Sequence, residues 1–288
     1  MATATVRRLE REGGMADWRG GGNCVAIGGI GRLATMAGGA GQHYKQGAIT
    51  HEQSIGAAMK VVCFMFPGFT LQDMVGPVTV WSMMPEVEFE FVAAAKGDVM
   101  TDSGLAVRAT HDFSDVAKAP DVLLVPGGGL PVFEAMQDDA LLDAIAGVGA
   151  GAKWVTSVCS GSMLLGAAGL LQGYRSASHW SARPYLEKFG AVADAGRVVI
   201  DRNRASGGGI TAGIDFGLVM VAQWAGAETA RVIELVLEYA PEPPNGCGRP
   251  ELADGGTLAQ ARALTATVMP EHLADAAARR RGFAPAAR

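Results

Sequence analysis

Lys153-Trp154-Val155-Thr156-Ser157-Val158-Cys159-Ser160-Gly161-Ser162 is the stretch on which the fold turns, and Met163-Leu164-Leu165-Gly166-Ala167-Ala168-Gly169-Leu170-Leu171 completes it. Trp154, Val155 and Val158 read as a short buried strand. That strand stops at Cys159, small residues follow at once, and an Ala/Leu/Gly-rich helix runs on to Leu171. A strand that ends on a nucleophilic side chain and passes through a sharp turn into a helix has the layout of a nucleophile elbow. The positive end of the helix, and N–H groups aimed at the sulfur, would lower the thiol pKa and give a thiolate near neutral pH. The competing reading of Cys159 is a small buried core residue.

Working outward from this junction, short apolar runs alternate with longer amphipathic ones, the pattern of an α/β fold with a mostly parallel central sheet covered by helices. Lys60–Phe66, Glu88–Ala95 and Asp121–Val125 read as strands; Leu71–Met84 and Val132–Val148 read as helices. Arg197–Ile200 and Arg204–Ser206 suggest a hairpin. Helices are expected over about 212–225, 228–238 and 257–267, with a Pro/Gly-rich loop over 240–256 and a frayed tail over 271–288.

Residues 1–58 differ in character. They hold 13 of the 40 glycines and show neither helical nor strand periodicity. Such a stretch buries too little apolar surface to offset the entropy of ordering it, so a disordered extension is the expectation, with Met59 as the real or ancestral start. Gly29-Ile30-Gly31-Arg32-Leu33-Ala34 imitates a dinucleotide fingerprint, but no strand pattern precedes it.

Asp73 follows the first strand and opens the first helix, which puts it over the same carboxyl edge of the sheet as Cys159, where ligands of open α/β sheets gather. Behind the apolar run Phe66–Leu71, desolvation would raise its pKa and equip it for proton transfer. Asp at that place suits a helix N-cap equally well. Gly127, Gly128 and Gly129 offer amides that could hold a substrate or a developing charge, or form an ordinary βα loop. His179-Trp180 and the run containing Gly209 and Ile210 are candidate pocket walls, with His179 read as a structural histidine rather than a base.

Composition narrows the partners. The 288 residues are 49% apolar and 18% charged, with a net charge of −5 and no dense Lys/Arg stripe, which argues against a nucleic-acid partner and for a small molecule. Cys24, Cys63, Cys159 and Cys247 stand far apart, without Cys-x-x-Cys or zinc-ligand spacing, so neither a metal site nor a disulfide framework is indicated. No apolar run is long enough to span a membrane, and a cytoplasmic location is expected.

The segment from about Met59 to Pro244 resembles the ThiJ/PfpI superfamily, whose fold is that of the class I glutamine amidotransferases, and more narrowly its isonitrile hydratase branch. The resemblance is carried by Phe66-Pro67 with Leu71-Gln72-Asp73 and Gly76-Pro77, by Pro126-Gly127-Gly128, by the elbow itself, by His179-Trp180, by Gly207 to Phe216, and by Leu237-Glu238-Tyr239-Ala240-Pro241. It implies hydration of a small isonitrile with Cys159 as nucleophile, Asp73 as acid/base and Ser160 assisting, Gly127, Gly128, His179, Trp180, Gly209 and Ile210 around the substrate, neither metal nor organic cofactor, and a homodimer. The patch Met65, Met74, Met83 and Met84 could add apolar area to such a dimer or belong to the core. Ser160 departs from the pattern: peptidase-like relatives have His there and the hydratase pattern has Thr. Glyoxalase or deglycase chemistry, a redox sensor and the ligand-binding half of an AraC-type regulator are the rival readings. The 44 residues after Pro244 contain no basic recognition-helix pair, which argues against the regulator.

Overall fold

The computed structural model describes residues 58–283. The expectations for residues 1–57, including the Gly29–Ala34 motif, lie outside the described residues. The strands are β1 (Met59–Phe64), β2 (Val87–Ala93), β3 (Gly97–Met100), β4 (Ala106–Ala109), β5 (His111–Asp112), β6 (Val122–Val125), β7 (Trp154–Val158), β8 (Arg175–Ser176), β9 (Val192–Ala193), β10 (Val198–Asp201) and β11 (Arg204–Gly207), and β-branched or aromatic residues cluster in β1, β2, β6, β7 and β10. Helices are α1 (Leu71–Trp81), α2 (Leu130–Ala135), α3 (Asp139–Gly151), α4 (Gly161–Ala167), α5 (Ala212–Val236), α6 (Gly255–Val268) and α7 (Glu271–Arg280), with a 3₁₀ segment at Arg183–Phe189.

Seven strands form the main sheet in the order β10-β11-β7-β6-β1-β2-β5. Every pairing is parallel except β10 with β11, the hairpin read from the sequence. The chain steps from β1 to β2 in one direction and from β6 to β7 in the other. Right-handed crossovers therefore put α1 on one face of the sheet and α2 and α3 on the opposite face. Helix α5 packs on α1, while α4 packs on α2 and α3. The direction of winding reverses between β1 and β6, which opens a crevice at their carboxyl ends. Asp73 follows one of these strands and Gly127 the other.

The central strands are buried on both faces: Val61, Val62, Cys63 and Phe64, and Val122 to Val125, are all wholly buried. This is why they read as unbroken apolar runs rather than as alternating ones. Trp81 donates its indole N–H to the Gly217 carbonyl at 3.2 Å, pinning α1 to α5.

Several boundaries differ from the sequence reading. The single helix expected over Val132–Val148 is two, because Asp138 caps α3 by accepting from Ala140 N at 3.0 Å and Leu141 N at 3.2 Å. Helix α4 stops at Ala167 instead of Leu171, with Gly169 beyond it at φ +82°. The two helices expected over 212–238 are present, joined end to end as α5 across a non-helical kink at Gly226, where φ is 87° and ψ 157°. Strands β3, β4, β5, β8 and β9 were not anticipated; all are short. The frayed tail expected over 271–288 is replaced over its first ten residues by α7, which buries Ala274 and Ala277 completely. Gln137 donates to the Leu273 carbonyl at 3.0 Å, and Arg280 to the Met136 carbonyl at 2.6 Å, so α7 belongs to the α/β domain.

Ala277→Asp places a carboxylate in that contact with no partner prepared for it, and should cost about 3 kcal/mol or more. Thermal denaturation should register this as a fall of roughly 6–12 °C. An unchanged midpoint would return the segment to a frayed tail.

Candidate active site

Cys159 follows β7 directly with φ +59°, a left-handed conformation that is costly for a residue with a side chain. Its N–H donates to the Gly207 carbonyl at 3.1 Å, and its carbonyl accepts from the hydroxyls of Ser162 at 3.1 Å and Ser178 at 3.2 Å. These ties hold the strained turn. Gly161 is required just beyond, since a Cβ there would collide with the Val125 carbonyl oxygen. Of the other described cysteines, Cys63 is wholly buried in β1 and Cys247 lies in the loop before α6.

Asp73 lies in the first turn of α1, and its side chain makes no capping hydrogen bond. The capping reading therefore fails. Instead Oδ2 accepts the Gly127 N–H at 2.9 Å, and Oδ1 is buried without a partner. Gly127 has to be glycine: a Cβ there would stand 2.8 Å from Asp73 Oδ2, 2.7 Å from Ser160 Oγ and 2.6 Å from Ser160 N. Three loops, from the ends of β1, β6 and β7, meet at that point.

Burial pushes the Asp73 carboxyl up to about 8, against the opposing pull of the Gly127 amide and of Cys159, with Asp102 adding a small push in the same direction as burial. The carboxyl is mostly protonated at neutral pH. The Cys159 thiol is also raised, by burial first and by the Asp73 charge second, with Ser160 acting the other way. This corrects the expected low thiol pKa: desolvation outweighs the turn and helix that would favour a thiolate. The two groups are near enough to change each other's proton affinity, yet no hydrogen bond of good geometry joins them.

Ser160 is fully buried. Its hydroxyl accepts from Gly128 N at 3.0 Å and donates to Gly128 O at 2.5 Å, tying the elbow to the loop after β6. The amides of Gly127 and Gly128 are likewise spent, one on Asp73 and one on Ser160. Each of these polar groups has a protein partner, and together they join the loops that carry Cys159 and Asp73.

His179, Trp180, Gly209 and Ile210 come together as expected, in a cleft of about 320 Å³. Cys159 and Asp73 are not among its walls; of the wall residues, Ser178 is hydrogen-bonded to the Cys159 carbonyl. The His179 ring lies 2.7 Å from the Ser181 hydroxyl through Nδ1, and burial lowers its pKa, so it is a neutral wall residue. Not anticipated were Ser178, Arg183 and Arg197. Arg197 donates to Asp215 from Nε at 2.9 Å, and Tyr239 donates its hydroxyl to the same Asp215 oxygen at 3.0 Å. The 207–216 run and the Glu238-Tyr239-Ala240 segment are thus two ends of one polar network. Among the described residues, no group of three or more His, Cys, Asp or Glu could hold a metal ion, and no helix is long and apolar enough to cross a membrane.

Residues 59–223 match the model of the DJ-1/PfpI family. The chain belongs to that family. Isonitrile hydratase of Pseudomonas putida is 41% identical over 205 residues, which cover 71% of this chain and 89% of that one. The crystal structure of a ThiJ/PfpI family protein from Pseudomonas syringae superposes with a TM-score of 0.74 at 40% identity, covering 77% of this chain and 91% of that one. The HTH-type transcriptional regulator GbdR of Pseudomonas aeruginosa is 34% identical over 129 residues, 44% of this chain and 34% of its own length.

The Asp73 proton has a consequence for stability. The folded protein holds it to about pH 8, whereas an unfolded chain releases it near pH 4, so between those values the unfolded state binds fewer protons and this group makes stability fall as pH rises. Asp73→Asn removes the effect. The variant's melting temperature minus the parent's should therefore climb from about pH 4 to about pH 8 and then level off. A difference independent of pH would mean that Asp73 is ionised in the folded protein.

Proposed function

We propose that the chain hydrates small isonitriles to N-substituted formamides, with Cys159 as nucleophile and Asp73 as acid and then base. The observation that carries this reading is the buried carboxyl that keeps its proton near neutral pH, with Oδ1 unpartnered, beside a cysteine on a strained elbow. The terminal carbon of an isonitrile must accept a nucleophile and gain a proton, and this pair offers both. The 41% identity to an isonitrile hydratase over most of both chains supports the same reading.

The two groups titrate as a pair, and the competent form keeps one proton between them. In it the thiolate sulfur bonds to the isonitrile carbon while Asp73 delivers its proton to that carbon, giving a thioimidate, R–N=CH–S–Cys159. Water then adds across C=N, oxygen to carbon and a proton to nitrogen. Asp73 takes the remaining hydroxyl proton as the C–S bond breaks. The formamide leaves, and the thiolate and the acid are restored. Ser160, Gly127 and Gly128 act by holding the two reacting groups in place.

Purified protein should convert an aryl isonitrile to its formamide without added metal. Asp73→Asn should lower turnover by roughly 10²–10⁴, and Cys159→Ala should abolish it. In the parent, kcat/KM should rise with pH toward about 8, as the first proton leaves the pair. Consumption of methylglyoxal with no isonitrile turnover would replace this reading by carbonyl chemistry.

A homodimer is proposed on the resemblance alone, and the methionine patch does not serve it: Met65, Met74 and Met84 are core residues. Light scattering at micromolar concentration should give twice the 29.7 kDa chain mass; a monomer would count against it.

A further inference from the structure

The cleft beside the elbow carries an unbalanced positive charge. Three arginines line it, Arg183, Arg197 and Arg249, and Arg183 also lines a second cavity beside Tyr185 and Met269. Arg197 is engaged by Asp215 at 2.5 Å and Arg249 by Glu251 at 2.7 Å. Arg183 differs: among the described residues no carboxylate comes within ion-pair distance of it, and its guanidinium donates no hydrogen bond. Asp194 feels its field only weakly, after the Gly196 N–H and Arg175, which occupy the Asp194 oxygens. Burial lowers the pKa of His179, so it adds no further positive charge near neutral pH. The Trp180 ring and Ile210, which is 40% exposed, supply an apolar wall.

Building on the hydratase reading, we infer that the isonitriles this chain prefers carry a carboxylate, and that Arg183 is the residue that selects them. The cleft includes Ser178, whose hydroxyl donates to the Cys159 carbonyl, so one of its walls is joined to the elbow by a single hydrogen bond. A guanidinium presents a planar fork that matches a carboxylate in two parallel N–H···O bonds. Lodging the acid end of a substrate on Arg183 orients the other end, where the neutral, linear isonitrile group offers almost nothing to grip. The cleft's volume of about 320 Å³ lies at the small end of the range for small-molecule sites, which suits a single ring or a short chain bearing the acid.

The test compares 4-isocyanobenzoate with its methyl ester, which differs in charge at one end. With the full-length protein, kcat/KM for the acid should exceed that for the ester by about 10- to 100-fold, the value of a charge-assisted hydrogen-bonded pair. In Arg183→Gln that ratio should fall to near one, through KM rather than kcat, and Arg183→Lys should restore part of it. Equal or better use of the ester by the parent, or an unchanged ratio in Arg183→Gln, overturns the assignment. Calorimetric titration with the product pair, 4-formamidobenzoate and its methyl ester, supplies a readout independent of turnover. If neither isonitrile reacts but the acid product binds at least 10-fold more tightly than its ester, and Arg183→Gln removes that preference, the hydratase reading falls and the carboxylate site stands. If neither product binds with such a preference, the site falls as well.

Discussion

The N–H of Gly127, donated to Asp73 Oδ2 at 2.9 Å, is the tie on which the rest of the site depends. It requires a residue without a Cβ after β6, because Ser160 and Asp73 close on that point from two other loops. The single hydrogen bond orients the carboxyl but satisfies only one of its oxygens. In a pocket from which water is excluded, that leaves the ionised form poorly compensated, and the proton stays. The Ser160 hydroxyl repeats the device one residue further on by bracketing Gly128 through its N–H and its carbonyl.

The electrostatics of Cys159 run against the usual account of an elbow cysteine. A turn N–H and a short helix favour the thiolate, but both partners of the pair are buried and the neighbouring carboxylate would repel a second negative charge. The cost of two adjacent charges in a low-dielectric site exceeds what a few amide dipoles return. The pair therefore behaves as one acid with a proton to place, and the chemistry of isonitrile hydration needs that proton and that sulfur on the same carbon. Only when the proton they share sits on Asp73 can Cys159 carry the negative charge.

The surrounding fold supplies the geometry. Because the winding direction reverses between β1 and β6, the loops after adjacent strands diverge and leave a crevice at their carboxyl ends. The antiparallel β10–β11 hairpin then returns the chain beside β7, so that Gly207 accepts from Cys159 N and the following glycines form a wall of the cleft. The Asp215–Arg197–Tyr239 network fixes that wall to the chain that follows α5. Charge left over on Arg183, rather than shape alone, then distinguishes one class of ligand from another.

Much of this was legible in the residues themselves. Strands β1, β6 and β7, the elbow at Cys159, the β10–β11 hairpin and the placement of Asp73 on the same sheet edge follow from local hydrophobic period and from the order of elements, which need no long-range knowledge. Helix breaks at Asp138 and Gly169 depended on single capping or left-handed residues that a periodicity cannot weigh, and α7 reads as a charged tail until its two buried alanines meet the segments they cover. What the tertiary structure alone decided was occupancy and balance: that the Gly127, Gly128 and Ser160 groups already have protein partners, that the thiol is raised rather than lowered, and that among the described residues Arg183 lacks the carboxylate which Arg197 and Arg249 each have. These are properties of distance between residues far apart in the chain. Proton affinity and hydrogen-bond satisfaction depend on such distances and on the exclusion of water, and neither is written in the order of the residues.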